Sequence, residues 1–159
     1  MQTEINKQIN AEMYSAYLYL AMATYFEKSN LPGFAQWMKV QAQEEMAHAM
    51  KFYNYIHERR GQVKLTAITA PKATWKSPLA AIEDAFAHEQ KITAKINGLM
   101  GLAISIKDYA TQSMLKWFID EQVEEEANAD AIVQKLKMIG KGSGLLLMLD
   151  AKLGNRKED

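Results

Sequence analysis

The stretch Gln43-Glu44-Glu45-Met46-Ala47-His48 lies in the middle of a long helical pattern. Side chains that recur there at steps of four and three form the stripe that an amphipathic helix turns toward a core. A carboxylate and an imidazole, Glu45 and His48, interrupt this otherwise largely apolar stripe. Carboxylates are rarely buried without a partner, because removing the charge from water is costly. Either the stripe is misplaced or a positive charge lies opposite these two side chains.

The same interruption recurs in three other helical patterns. Glu12 breaks the apolar stripe of the first pattern, and Glu89 breaks that of the third. In the fourth, Gln122 and Glu125 break the stripe three positions apart. A single acid on such a stripe is commonly a surface residue that is rotated slightly off the buried face of its helix. Acids on four helices, however, form a pattern that needs a common explanation.

Prolines and glycines divide the chain, and no stretch shows the alternation typical of a strand. We predict one all-α domain over residues 1–159, with helix A at 3–28, helix B at 31–60, helix C at 78–106, helix D at 108–139 and a short helix E at 144–153. Residues 62–77 carry no helical period and form a crossover. Ser77 and Asp108 are expected N-caps, and Gly61 is the expected C-terminal cap of helix B.

The crossover length decides the predicted topology. Helices A and B, like C and D, are joined by short connections and should form antiparallel hairpins. A helix of this length spans roughly 42 Å, and the extended crossover reaches at most roughly 53 Å. Helices B and C can therefore lie parallel in a four-helix bundle, which brings the interruptions of all four helices into the same middle layers.

Buried acids from four helices repel one another and resist ionisation. Two divalent cations would carry four positive charges, matching the four carboxylates of Glu12, Glu45, Glu89 and Glu125. Oxygen ligands with one imidazole and no thiolate suit iron, manganese or zinc. We expect Glu45 to bridge the two metals.

The bulk composition excludes several classes of function. Lys plus Arg and Asp plus Glu both number 19, so no net charge attracts nucleic acid or an anionic membrane. The chain has no cysteine and no apolar run long enough to span a bilayer. The first residues lack the apolar core of a signal peptide. We expect a soluble, cytoplasmic protein.

Four runs of residues, in the same order along the chain, resemble the prokaryotic non-haem ferritins. They are Asn10-Ala11-Glu12-Met13-Tyr14-Ser15, Gln43-Glu44-Glu45-Met46-Ala47-His48, His88-Glu89-Gln90 and the segment 117–126. The resemblance implies a ferritin-like bundle that oxidises Fe(II) with O2 or H2O2 at a diiron ferroxidase centre within each subunit. It also implies storage of Fe(III) as a ferric oxide mineral inside a homo-oligomeric shell, expected to be a 24-mer.

The resemblance assigns roles residue by residue. The matches to the first iron site are Glu12, Glu45 and His48, and those to the second are Glu45, Glu89 and Glu125. Gln122 would lie beside the iron pair, and Tyr19 matches a tyrosine next to the centre. The matches to a possible third iron site are Glu44, Glu121, Glu124 and Glu125.

The chain departs from two related branches. Bacterioferritins carry a second Glu-x-x-His where this chain has Gln122 and Glu125, and they bind haem through a methionine. Met46 occupies a similar place, but non-haem ferritins can also have Met there, so no haem is expected. The cysteine-ligated iron of rubrerythrin-type relatives is impossible in a chain without cysteine.

The apolar segment Leu145–Leu153 must bury itself against its own domain or against other copies. In ferritins the matching fifth helix clusters around a channel of the shell. Residues 155–159 are expected to form a loose, charged tail, and His57 and His88 to be ordinary surface residues.

Two alternatives to a storage shell remain open from the sequence. One is a diiron oxidase or peroxidase that works as a dimer and stores nothing. The other is a structural bundle whose acids bind no metal.

Overall fold

The computed structural model describes residues 1–140 and 142–157. The described residues form five helices: α1 (Gln2–Lys28), α2 (Pro32–Glu58), α3 (Pro78–Ser105), α4 (Tyr109–Ile139) and α5 (Ser143–Leu153). No strand occurs among them. The all-α fold is therefore confirmed, with helix ends within two residues of the predicted ones. None of the described helices combines the length and apolar content that a membrane crossing requires.

Side-chain caps begin two of the helices as predicted. Ser77 Oγ accepts a hydrogen bond from the Ala80 amide at 3.1 Å, and Asp108 Oδ1 accepts one from the Thr111 amide at 3.2 Å. Each satisfies an amide that has no partner inside its helix. Pro78 follows Ser77 at the first helical position, where its fixed φ is compatible with the helix.

The predicted cap at Gly61 is wrong. Helix α2 ends at Glu58, and Arg60 rather than Gly61 adopts the left-handed conformation, with φ of 57°. The Gly61 amide still donates to the Ile56 carbonyl at 2.8 Å. A Cβ at this position would lie 2.5 Å from Gln2 Oε1, so a larger residue would displace the end of that side chain.

Contacts at the helix ends fix the topology. Trp75, just before α3, packs against Tyr25 near the end of α1, with ring centroids 5.4 Å apart. Arg59, just after α2, donates to Asp108 at the start of α4 at 2.9 Å. Helix α1 is therefore antiparallel to both α2 and α3, and α2 and α3 run parallel as predicted.

The crossover follows α1 through hydrogen bonds from two asparagines. Asn6 donates to the Gln62 carbonyl at 3.1 Å and accepts from the Lys64 amide at 2.6 Å. One turn later Asn10 donates to Thr66 Oγ1 at 2.9 Å. These bonds satisfy backbone groups of a segment that has no regular structure of its own.

A polar layer divides the core into two apolar clusters. The cluster near the α1–α2 connection includes Tyr19, Phe26, Phe34, Met38, Ile82 and Ile132. The cluster at the opposite end includes Ile5, Ile9, Phe52, Ile92, Ile96, Leu115 and Phe118. On each long helix, the acid that interrupts the stripe falls between residues of the two clusters.

Helix α5 packs against α2 and leaves its other face exposed. Asp150 is buried and accepts a hydrogen bond from the Phe34 amide at 2.9 Å. A Cβ at Gly33 would lie only 1.7 Å from the Asp150 carbonyl oxygen, so glycine permits this close approach. Leu147 and Met148 are 60% and 70% exposed. The apolar segment thus covers part of its own subunit and also presents an apolar surface.

The prediction of a loose tail is wrong for its first residues. Asn155 donates to the Ala151 carbonyl at 3.2 Å, and Arg156 forms hydrogen bonds with α2. Glu158 and Asp159, which belong to the same prediction, lie outside the described residues.

Candidate metal centre

The polar layer contains the acids that the sequence singled out, supplied by all four long helices. Each of these carboxylates is only 1% to 3% exposed: Glu12 from α1, Glu45 from α2, Glu89 from α3 and Glu125 from α4. His48 and Gln122 are also buried in this layer. The helical periodicity places them there, because each occupies a position whose neighbours one turn away are core residues.

One side of the layer consists of Glu12, Glu45 and His48. Each offers one possible ligand atom, and these atoms all lie within 4.8 Å of one another. His48 Nδ1 is 3.5 Å from Glu45 Oε2. Glu12 Oε1 accepts from Gln8 Nε2 at 2.7 Å, but Glu12 Oε2 and both Glu45 oxygens are buried without a hydrogen-bond partner.

On the other side, donors hold both carboxylates. Tyr19 donates from its hydroxyl to Glu89 Oε1, and Gln122 Nε2 donates to Glu89 Oε2 at 3.1 Å. Gln41 Nε2 donates to Glu125 Oε2 at 2.7 Å. These carboxylates are therefore oriented before any cation arrives.

Burial disfavours negative charge throughout the layer. It raises the pKa of Glu12 to about 7, although the Gln8 hydrogen bond acts in the opposite direction. Burial, followed by repulsion from Glu89, raises the pKa of Glu125 to about 8 and that of Glu45 well above its ordinary value. The layer without metal therefore holds protons that a cation must displace.

Burial has the opposite effect on the imidazole. It lowers the pKa of His48 to about 4, so the ring is neutral at physiological pH and has a nitrogen lone pair available for a metal. The ring packs edge-on against Trp117 and Phe118, with centroid distances of 5.3 and 5.9 Å. These aromatic contacts fix the ring plane beside Glu45.

The donor set fits a pair of divalent cations. Three buried carboxylate oxygens without a partner are costly unless something positive satisfies them. The ligands are oxygens and one imidazole, which suits iron, manganese or zinc. Glu45 lies in the unpartnered group with both oxygens unsatisfied, as expected of a carboxylate that could contact two ions.

The residues matched to a third site do not lie together as one group. His48, Glu121 and Glu125 offer ligand atoms within 4.8 Å of one another. Glu44, however, pairs with Arg156 at 2.5 Å, and Glu124 is exposed. Neither group of possible ligands among the described residues includes Glu44 or Glu124.

The prediction that His88 is an ordinary surface residue is wrong. The side chain is half-buried, and its Nε2 lies 2.7 Å from Ser15 Oγ. Its ring packs against those of Tyr14 and Tyr19, and burial lowers its pKa to about 4. His57 is exposed, as predicted.

Sequence reasoning missed the amides that hold the acids. Gln8 lies four residues before Glu12, and Gln41 lies four residues before Glu45. A glutamine one turn from a buried acid was the available signal, since side chains at that spacing face each other. Nothing in the sequence indicated that Gln41 would reach Glu125 on another helix.

The four-helix arrangement with acids from every helix agrees with comparison to known proteins. Residues 2–139 match the family model described as Ferritin-like domain. The chain belongs to the ferritin family. A bacterial non-heme ferritin from Bacteroides fragilis is 44% identical over 98% of this chain and 97% of its own length. One from Staphylococcus aureus is 41% identical over 98% of this chain and 93% of its own length.

Solved structures agree with this assignment. An Archaeoglobus fulgidus ferritin engineered into a closed form superimposes with a TM-score of 0.99, at 50% identity, covering 100% of this chain and 97% of its own. The open pore ferritin of the same archaeon gives a TM-score of 0.98 at 50% identity, covering 99% and 97%. The resemblance, the bundle and iron storage as the class of function are therefore confirmed.

Proposed function

We propose that this chain is a ferroxidase as well as an iron-storage protein. Two Fe(II) ions would bind as substrates in the polar layer of each subunit, be oxidised there and leave as Fe(III) for storage as a ferric oxide mineral. The observation that carries the proposal is the set of buried carboxylate oxygens without partners, one on Glu12 and two on Glu45, next to the neutral imidazole of His48.

The two sides of the layer would hold one ion each. Glu12, Glu45 and His48 would bind the first ion, and Glu45, Glu89 and Glu125 the second. Each Fe(II) gives up one electron, so the pair can reduce O2 to H2O2 or H2O2 to two waters, with two protons taken up in either case. A third ion, with Glu44, Glu121, Glu124 and Glu125 as its proposed ligands, is the remaining part of the proposed iron set, and Glu44 would have to leave Arg156 to join it.

Neutral side chains would keep the ligands in place during this reaction. Tyr19 and Gln122 donate to the two oxygens of Glu89. Tyr19 is buried, so the hydroxyl has no water with which to exchange this bond. We assign Tyr19 and Gln122 the role of holding Glu89 in its orientation as the ions enter and leave.

Storage requires a shell, and two observations support assembly into one. The related A. fulgidus protein is described as an open pore ferritin, and this chain covers nearly all of it. The exposed face of α5, with Leu145, Leu147 and Met148, offers an apolar contact surface. A 24-mer in the cytoplasm, without haem, is our proposal. A particle that stays a dimer at every salt concentration would contradict it.

The ferroxidase proposal can be tested with Glu45→Ala and His48→Ala. Matched controls are Glu27→Ala, which removes an exposed acid paired with Lys39, and His57→Ala, which removes an exposed imidazole. We expect initial Fe(II) oxidation to fall in Glu45→Ala by more than the roughly 10- to 100-fold loss typical of residues one shell farther from a metal. Both controls should match the parent. Parent rates in Glu45→Ala and His48→Ala would contradict the proposed centre.

A further inference from the structure

Arg156 follows α5 and reaches back to α2. Its guanidinium lies 4.7 Å from the centre of the Trp37 ring. Nη1 donates to Gln41 Oε1 and Nη2 donates to Glu44 Oε2, each at 2.5 Å. The three partners lie on successive turns of α2, so a single side chain spans one face of that helix.

Arg156 determines which end of the Gln41 amide faces the metal centre. A guanidinium has only donors, so the amide oxygen must face it. The amide nitrogen is then directed to the opposite side, where it donates to Glu125 Oε2 at 2.7 Å. Gln41 is 1% exposed, so water does not compete for either end of the amide.

We propose that Arg156 is a positioning residue for the metal centre, acting on Glu125 through Gln41. The inference rests on the proposed function, in which Glu125 is a ligand of the second ion. With the guanidinium in place, Gln41 presents its N–H groups toward Glu125. Without it, the amide is free to turn its oxygen toward the carboxylate, where the two oxygens repel each other.

The geometry favours arginine specifically. Its planar fork presents two N–H groups in fixed directions, whereas a lysine ammonium is a point charge on a shorter reach. The Arg156 and Glu44 side chains are only 21% and 24% exposed, so the pair is partly shielded from solvent. Lysine at position 156 would therefore keep the charge without fixing both partners.

Helix α5 does not depend on Arg156 for its docking. Asp150 accepts from the Phe34 amide, and Gly33 allows the backbones to approach closely. Both contacts involve the first turn of α2, whereas the Arg156 partners Gln41 and Glu44 lie two or three turns farther along that helix. Removing the guanidinium should therefore leave α5 in place and change only the orientation of the Gln41 amide.

Arg156 also carries a charge that acts on cations directly, and the experiment must separate the two effects. A double-mutant cycle does so, since a direct charge effect is the same whether or not Gln41 is present. The variants are Arg156→Met, Gln41→Met and the double variant. Lys157→Met is the matched control, because it removes an exposed cation from the adjacent position.

The readout is binding of Zn(II), which cannot be oxidised, to the metal-free assembled protein by calorimetry. We expect Arg156→Met to weaken the affinity for the second Zn(II) per chain. The loss should be about tenfold larger when Gln41 is present than in the Gln41→Met variant. Tenfold is the lower end of the losses seen when a residue that holds a metal ligand is removed. Arg156→Lys should not restore the parent affinity, and Lys157→Met should match the parent. Particle mass and far-UV circular dichroism should be unchanged in all variants.

The possible failures are distinguishable. An equal effect of Arg156→Met with and without Gln41 would reduce Arg156 to a surface charge and overturn the inference. No effect in either case would overturn it as well. Both results would leave the ferroxidase proposal intact, provided the parent binds two equivalents. A parent that binds no Zn(II) would overturn this inference, and the rate of Fe(II) oxidation by the same protein would then decide the ferroxidase proposal separately.

Discussion

Glu45 and Glu89 lie in the same polar layer and are equally buried, but their surroundings differ. Neither oxygen of Glu45 has a hydrogen-bond partner, whereas Glu89 accepts from Tyr19 and Gln122. The first side chain is costly to bury without metal, and the second is already satisfied. Within one layer, Glu45 therefore lacks the positive charge that would stabilise it, whereas hydrogen bonds already fix the orientation of Glu89.

The same contrast separates the other two acids. Glu12 has one oxygen held by Gln8 and one without a partner, while Glu125 is held by Gln41 and, through it, by Arg156. An ion bound by Glu12 and Glu45 would therefore have to order its ligands, whereas Glu89 and Glu125 would need little rearrangement to bind one.

The largest effect is expected from replacing Glu45 and Glu89 by methionine in the metal-free protein. Glu45→Met removes two unpartnered buried oxygens and keeps a similar volume, so it should stabilise the fold by about 1 to 3 kcal/mol. Glu89→Met leaves the buried Tyr19 hydroxyl without its acceptor, although Gln122 Nε2 keeps the backbone carbonyl of residue 89 and Thr93 Oγ1, so it should destabilise by a similar amount. Urea unfolding of chelator-treated protein measures both free energies.

Opposite signs are the essential result of that experiment. If both variants were stabilised, the hydrogen bonds to Glu89 would contribute nothing and the two sides would be equivalent. If both were destabilised, Glu45 would have a partner in the metal-free protein. Glu27→Met, at an exposed ion pair, serves as the control and should change stability by less than about 1 kcal/mol.

A smaller effect is expected from pH. A carboxyl group whose pKa is raised by folding binds its proton more tightly in the folded state, so stability is lost as the pH rises toward the folded pKa. For Glu12 that pKa is about 7, and for Glu125 about 8. The lowered pKa values of His48 and His88 act in the opposite direction only between about 4 and 6.5.

The informative window is therefore between about pH 6.5 and 8, above the histidine range and up to the folded pKa of Glu125. There the metal-free protein should lose stability with rising pH, by about 1.4 kcal/mol per unit for each acid still protonated only in the folded state. Saturating Zn(II) should abolish or reverse the slope, because the metal binds deprotonated ligands. Thermal unfolding at the two pH values, with and without Zn(II), checks this. A metal-free protein that gained stability over this window would show that the acids are ionised when folded.

The bundle could be predicted from the sequence because its signals are periodic and local. The apolar stripes predict the helices, and the caps at Ser77 and Asp108 predict where two of them begin. The crossover length predicts that helices B and C run parallel, and all these signals agree on one fold. The ends were less accurate: at the end of α2 the left-handed residue is Arg60 and not the glycine that follows it.

The acids of the centre were predictable for the same reason, as polar residues that break an apolar period. What holds them was not predictable, because those contacts join distant parts of the chain. Gln41 reaches Glu125 across the bundle, and Arg156 reaches Gln41 from beyond α5. From the sequence alone, a charged residue near the end of the chain is most simply interpreted as part of a solvated tail. In the structure Arg156 is instead paired with Gln41 and Glu44.

The central claim is that a pair of divalent cations neutralises the buried acids, and anaerobic titration with Fe(II) tests it most directly. We expect two tightly bound Fe(II) ions per chain at neutral pH, and we expect Glu45→Ala to lose tight binding of both because the two ions would share its carboxylate. Parent protein that binds no Fe(II) tightly, or a Glu45→Ala variant that still binds two ions as the parent does, would contradict it.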